Sequence, residues 1–151
     1  MIPNLVVLED CPWMVLPPGI HIASIAEIEA VFGYNSHRRK LLKGLKNALR
    51  NLQGAGCLVV FLDGSFISDK PIPSDYDGCW DHNGMDRTKL DPVLLDFSNE
   101  RAAQKLKYYG EFFPAYGEAD ILGTSFLDFF QADKHTGTAK GIVQLDLAGS
   151  I

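Results

Sequence analysis

The sequence lacks any apolar segment long enough to cross a membrane. Its longest apolar runs, residues 5–8 and 57–62, are far shorter than the roughly 20 residues that span a bilayer. No basic stretch precedes an apolar core at the start, so the N-terminal residues do not have the pattern of a signal peptide. The sequence therefore predicts a cytoplasmic protein with no membrane partner.

Cysteine is scarce, and there is no excess of positive charge. The three cysteines are odd in number and lack CxxC spacing, which argues against a disulfide framework and against a zinc site. The formal net charge of -5 argues against strong binding to duplex DNA, which requires a surplus of Lys and Arg. A small ligand or a protein partner is favoured, and the oligomeric state, including a homo-oligomer, is left open.

Apolar residues are plentiful enough for one core. A chain of 151 residues with 46% hydrophobic content can bury about two thirds of its unfolded surface in a single domain. We therefore predict one domain over residues 1–151. Residues 1–23 form an N-terminal extension, in which a strand at residues 5–8 precedes a proline turn at residues 16–19.

Helix signals occur at four places. Ser24 and Glu27 have capping-box spacing and predict a short helix that ends near Gly33. A leucine and alanine stripe predicts a longer helix, which Ser36 caps and which Gly54 and Gly56 end. Two further caps are predicted: one at Ser98, before a helix over residues 99–107, and one at Ser125, before a helix of about two turns.

Strand signals alternate with these helices. Short apolar or alternating runs predict buried strands, and the last run predicts an edge strand; the runs are residues 57–62, 75–80, 109–113 and 142–147. A polar loop is expected at residues 81–91 and a turn at residues 134–139. The predicted fold class is therefore α/β (α+β), with a small mixed sheet of about four strands and covering helices.

The chemistry of the chain is concentrated after the first buried strand. Gly64 lets the backbone approach a phosphate closely, and the N–H and hydroxyl of Ser65 can donate hydrogen bonds to its oxygens. Asp75 and Asp77 project from one face of the next strand, with Cα atoms about 7 Å apart. Such a pair can share Mg²⁺ with the phosphates of a nucleotide. Lys70 is the basic residue between these two parts of the pattern.

Gly64-Ser65, a spacer and then Ser74-Asp75-Tyr76-Asp77 resemble the signature of the nucleotidyltransferase (polymerase-beta-like) superfamily. In that superfamily a third carboxylate lies on the strand after the following helix, and Glu111 occupies the matching place. Over residues 16–147 the segments LPPGIH, LDGSF, DGCW, ERAAQK, EFFPA and FLDFFQ are also similar to a small, uncharacterised bacterial family of nucleotidyltransferase-like proteins.

The resemblance implies a Mg²⁺-dependent transfer of a nucleoside monophosphate from ATP or another nucleoside triphosphate to a hydroxyl group. Asp75, Asp77 and Glu111 would be the catalytic residues and would hold two Mg²⁺ ions, whereas Gly64, Ser65 and Lys70 would bind the nucleotide. Because the chain has little length for a closed acceptor pocket, the expected acceptor is a protein or RNA hydroxyl.

Two alternatives remain open at the level of sequence. The chain could be a catalytically degenerate domain that binds a partner, as an antitoxin does, or a module that senses a nucleotide without turnover. The charged run at residues 37–40 is predicted to be a solvated surface. A bound triphosphate would nevertheless require basic groups from this run or from Arg87.

Overall fold

The structure is a computed structural model that describes residues 1–133, 136–149 and 151. The described residues form four α-helices, named α1 to α4 in chain order: Ile25–Phe32, Ser36–Gly54, Ser98–Tyr108 and Phe126–Phe129. They also form five strands, named β1 to β5: Gly19–Ala23, Val59–Asp63, Tyr76–Trp80, Gly110–Pro114 and Gly141–Asp146. No helix in this part of the chain is both long and apolar enough to cross a membrane.

The strands form one mixed sheet in the order β1-β5-β2-β3-β4. Strands β1 and β5 are parallel, as are β3 and β4. Strand β2 runs antiparallel to both β3 and β5. The predicted α+β class is confirmed, and the sheet has five strands where about four were expected.

The N-terminal strand lies elsewhere than predicted. Residues 5–8 form no strand, because only Val6 makes an isolated bridge, to Val15, and Val7 is 80% exposed. The strand of this region is β1, which follows the proline turn and pairs with β5. Because β1 covers its outer side, β5 is an interior strand, and the prediction of an edge strand at residues 142–147 was wrong.

The helix caps follow the predictions in part. The capping box at Ser24 and Glu27 is present, with the Ser24 hydroxyl accepting from the Glu27 N–H at 3.2 Å. Helix α2 is capped by Asn35, whose side-chain oxygen accepts from the Arg38 N–H at 2.8 Å, so Ser36 was one residue too late.

The two later helices depart further from the sequence signals. At α3 the hydroxyl of Ser98 donates to the Asp96 carboxylate, and the cap position falls on Phe97 without a side-chain hydrogen bond. The Ser98 cap was therefore wrong, since this serine turns back to the preceding residues. Ser125 caps α4 as predicted, but α4 has one turn instead of two. The turn predicted at residues 134–139 includes Lys134 and His135, which lie outside the described residues.

The sheet has an apolar cluster on each face, and the alternation of side chains along the strands separates them. Val60 and Leu62 of β2 face the larger cluster, which contains the buried stripe of α2. Phe61 faces the opposite, smaller cluster, which contains Cys79 and Ile142 and is flanked by aromatic residues of the α4 region. Residue 63 must point to the same side as Phe61, so the end of β2 opens toward α4.

Candidate active site

Three acidic residues lie in a row across neighbouring strands. Asp63 at the end of β2 pairs in register with Asp77 of β3, and Asp77 pairs with Glu111 of β4. Residues directly opposite each other in adjacent strands project on the same face, with antiparallel Cβ atoms about 4.5–5.5 Å apart. The sheet therefore brings together carboxylates from three separate parts of the chain.

All six residues that the sequence singled out line one cavity of about 780 Å³. They comprise the three acids and the three nucleotide-binding candidates: Asp75, Asp77, Glu111, Gly64, Ser65 and Lys70. Asp75 lies directly before β3. The predicted grouping of these residues in space is thus observed, whereas their chemical roles remain predictions.

Gly64 is in direct contact with the acidic row. It has a φ angle of 76°, a conformation that side-chain-bearing residues rarely adopt. A Cβ atom at this position would lie 2.1 Å from Oδ2 of Asp77. The turn after β2 therefore requires glycine both for its backbone angle and for the space that the Asp77 carboxyl occupies. The chain continues into the single 3₁₀ turn Ser65–Ile67.

The loop that follows Gly64 is held by Arg38, the first residue that sequence reasoning misjudged. Arg38 was predicted to lie on a solvated surface, yet its side chain is fully buried. Its guanidinium donates at 2.8 Å to the carbonyl oxygens of both Phe66 and Ser68, and also to that of Lys70. Burial lowers the pKa of Arg38. The neighbouring Arg39 is exposed, as predicted.

Arg87 does not contribute to this cavity. It lines a separate cavity of about 390 Å³ together with Trp80 and Tyr116. The basic side chains that line the larger cavity in the described part of the chain are Lys70 and Lys140. Lys140 was not among the sequence candidates.

Two basic side chains interact with Glu111 and Asp75, which we call the outer acids. Arg101 Nε lies 2.8 Å from Glu111, and Lys105 Nζ lies 3.6 Å from the same carboxylate and 4.0 Å from Asp75. Burial opposes the ionisation of Glu111, but hydrogen bonds from Asp77 and Arg101 outweigh this effect and lower the pKa of Glu111. Glu111 therefore favours the ionised form more strongly than an ordinary glutamate does.

For Asp63 and Asp77, which we call the inner acids, the pKa is raised instead of lowered. Burial, reinforced by the charge of Asp63 and a hydrogen bond to Glu111, raises the pKa of Asp77 well above its ordinary value. A hydrogen bond links the Asp77 carboxyl to that of Glu111. Burial also raises the pKa of Asp63, although the charge of Lys140 opposes the shift.

Asp63 is the second residue that sequence reasoning missed. The sequence pattern did not single out Asp63, but its side chain is only 3% exposed and lines the cavity. Among the described residues, neither carboxyl oxygen of Asp63 has a hydrogen-bond partner. The available signal was an acid that immediately follows the apolar run at residues 57–62.

Residues 11–146 match a protein family described as a family of unknown function, DUF6932. The chain belongs to this family. No curated protein and no solved structure matches it significantly. The description of the DUF6932 family names no activity, so a function has to be argued from the site itself.

The donors of this DUF6932 site suit a hard divalent cation. All are carboxyl oxygens, which Mg²⁺ prefers as ligands, and Asp63, whose oxygens have no hydrogen-bond partner among the described residues, lines the cavity. Over residues 1–133, 136–149 and 151, no group of three or more His, Cys, Asp and Glu residues is arranged to hold a metal ion. Mg²⁺ commonly takes one or two protein carboxylates and completes its shell with substrate oxygens.

Proposed function

We propose that the chain is a Mg²⁺-dependent nucleotidyltransferase that moves a nucleoside monophosphate from ATP or another nucleoside triphosphate to a macromolecular hydroxyl. The observation that carries this proposal is the contact between Gly64 and the Asp77 carboxyl. It joins a glycine turn suited to phosphate with a row of carboxylates suited to a metal, in one cavity.

Each side chain has a role that follows from its position. Ser65 and Lys70 would bind the outer phosphates, where a hydroxyl donor and a positive charge meet phosphate oxygens. Asp75, Asp77 and Glu111 would hold Mg²⁺, which when bound neutralises phosphate charge and lowers the pKa of the acceptor hydroxyl.

In the transfer, the acceptor oxygen forms a bond to the α-phosphorus while the bond to pyrophosphate breaks. The hydroxyl proton leaves the acceptor during this step. Glu111 would accept that proton if it does not hold the second metal ion.

The proposed acceptor is a hydroxyl of a protein or RNA in the cytoplasm. The cavity is bordered by exposed aromatic surface, since Trp13 is 37% and Phe129 is 47% exposed, and both line it. Aromatic residues are enriched at surfaces that bind macromolecules. Such a border suits an acceptor that docks onto the chain.

Labelling with ATP tests the transferase. The chain would be incubated with ATP labelled in the α-phosphate, Mg²⁺ and cell lysate, and labelled macromolecules would be separated from small molecules. We expect a labelled macromolecule with the wild type and a loss of at least about 100-fold with Asp77→Asn. Asp146→Asn is the matched control, because Asp146 is exposed at the end of β5, and it should label as the wild type does. Label confined to a small metabolite would contradict the macromolecular acceptor.

A nucleotide-sensing module is the second candidate, and one observation favours it. Arg101 and Lys105 already pair with Glu111, so a metal that required all three predicted acids would have to displace them. Thermal melting separates the candidates: a nucleotide bound with Mg²⁺ at 100 times its Kd stabilises the fold by about 2.7 kcal/mol. Stabilisation without labelling would favour the sensor, and labelling would favour the enzyme.

A further inference from the structure

The Asp63 carboxyl is an unusual polar group among the described residues. It is 3% exposed, and neither of its oxygens has a hydrogen-bond partner among the described residues. A buried carboxyl without a partner is costly, and buried acids are normally hydrogen-bonded, ion-paired or bound to a metal. Asp63 thus lacks the partner that its burial calls for.

The geometry of the sheet points this carboxyl at a neighbour of the same kind. Asp63 and Asp77 are in register on antiparallel strands, so their Cβ atoms lie about 4.5–5.5 Å apart on one face. Both side chains line the cavity. Since Mg²⁺ binds carboxylate oxygens at about 2.0–2.1 Å, one ion placed between the two strands can contact both residues.

Two other acids of the cavity, Glu111 and Asp75, are placed differently. In the described part of the chain, the ion pairs at this cavity join Arg101 and Lys105 to Glu111, and Lys105 to Asp75. A cation at the outer acids would therefore compete with two basic side chains. A cation at Asp63 and Asp77 would instead offset the negative charge that these two buried carboxyls acquire when they lose their protons.

We propose that Asp63 is a direct ligand of the divalent cation, which binds between β2 and β3 against Asp63 and Asp77. This inference rests on the proposed function for the identity of the cation but assigns a ligand that the sequence pattern did not contain. Two carboxylates plus phosphate oxygens form the usual Mg²⁺ set, and this pairing does not require a third protein ligand.

The test is metal binding to the whole chain without nucleotide. Mn²⁺, a paramagnetic substitute for Mg²⁺, would be titrated into the protein, and its free concentration would be measured by electron paramagnetic resonance. We expect Asp63→Asn and Asp77→Asn each to weaken Mn²⁺ binding by about 10-fold or more. Asp75→Asn should weaken it less than either variant, and the control Asp146→Asn should not change it.

Several results would overturn the proposal. One is wild-type Mn²⁺ affinity in a folded Asp63→Asn variant, and another is the absence of Mn²⁺ binding to the wild type. If Asp63→Asn does not fold, as judged by circular dichroism, Asp63→Ser takes its place under the same criterion.

The outcome is separable from that of the transferase. Binding of Mn²⁺ that depends on Asp63, together with no nucleotidyl transfer, would sink the proposed function and support the ligand. Transfer that survives in an Asp63→Asn variant with unchanged Mn²⁺ affinity would sink the ligand and leave the function standing.

Discussion

At the scale of single residues, the contact between Gly64 and Asp77 is the tightest constraint in the site. The left-handed backbone of Gly64 turns the chain away from β2, and the missing Cβ leaves room for the Asp77 carboxyl. Any side chain here would strain the backbone and displace an acid at the same time. The conformation of the turn and the position of the Asp77 carboxyl therefore both depend on the absence of a Cβ atom at Gly64.

We expect Gly64→Ala to reduce both stability and nucleotide binding. Strain in the left-handed region costs about 1–3 kcal/mol, and displacement of Asp77 would weaken any metal or nucleotide that depends on it. Gly54→Ala is the matched control, because a Cβ added at this exposed helical position meets nothing within 4 Å. It should stabilise the fold by up to about 1 kcal/mol. Urea unfolding measures both variants, and equal stability of Gly64→Ala and the wild type would contradict the argument.

At the scale of elements, the N-terminus of α2 holds the loop at residues 65–70. The Arg38 guanidinium lies 4.7 Å from the centre of the Tyr34 ring and donates to backbone carbonyls of the loop. The helical part of this loop is the single 3₁₀ turn Ser65–Ile67. Pro71 and Pro73 follow the loop. Helix α2 therefore holds the loop in place through the hydrogen bonds of Arg38.

Replacing this arginine should loosen the loop. Arg38→Met keeps much of the apolar volume but leaves several buried carbonyl oxygens without donors, each costing about 1–3 kcal/mol. We expect a loss of about 3 kcal/mol in the free energy of unfolding and faster hydrogen exchange of amides at residues 65–70. Arg39→Met, at the adjacent exposed position, should change stability by less than about 0.5 kcal/mol. Equal effects of the two variants would show that the buried network is unimportant.

At the scale of the whole molecule, the sheet brings together acids that shift one another's pKa values. Asp63 and Asp77 have raised pKa values, mainly because they are buried. The folded state consequently binds protons more tightly at these residues than the unfolded chain does. Their contribution to stability is full below the unfolded pKa of about 3.9 and is lost as the pH rises through the folded pKa.

A pH series isolates this effect. Asp63→Asn cannot ionise, so its stability relative to the wild type should increase when the pH rises from 5 to 8 without divalent cations. Urea unfolding at both pH values measures the difference, and the exposed control Asp146→Asn should remain parallel to the wild type. If the difference in the free energy of unfolding between Asp63→Asn and the wild type is the same at pH 5 and pH 8, Asp63 is ionised in the folded state at both pH values.

The local features of this protein could be predicted from sequence. The capping box at Ser24, the apolar stripe of α2 and the strands that became β2, β3 and β4 depend on residues within a few positions of one another. The aspartates at positions 75 and 77 are two residues apart and both line the cavity, although only Asp77 lies within β3. Periodicity and spacing are sufficient for such features, so the sequence alone determined them.

The remaining features depend on contacts between distant parts of the chain. Strand β5 became an interior strand only because β1, more than 100 residues earlier in the chain, covers its outer side. Arg38 is buried because the loop near Lys70 closes over it, and Asp63 becomes part of the site because antiparallel pairing places it opposite Asp77. The register of the strands and the burial of these side chains arise from the packing of the complete sheet. They cannot be predicted from a local sequence pattern. The tertiary structure therefore decided which acids share the cavity.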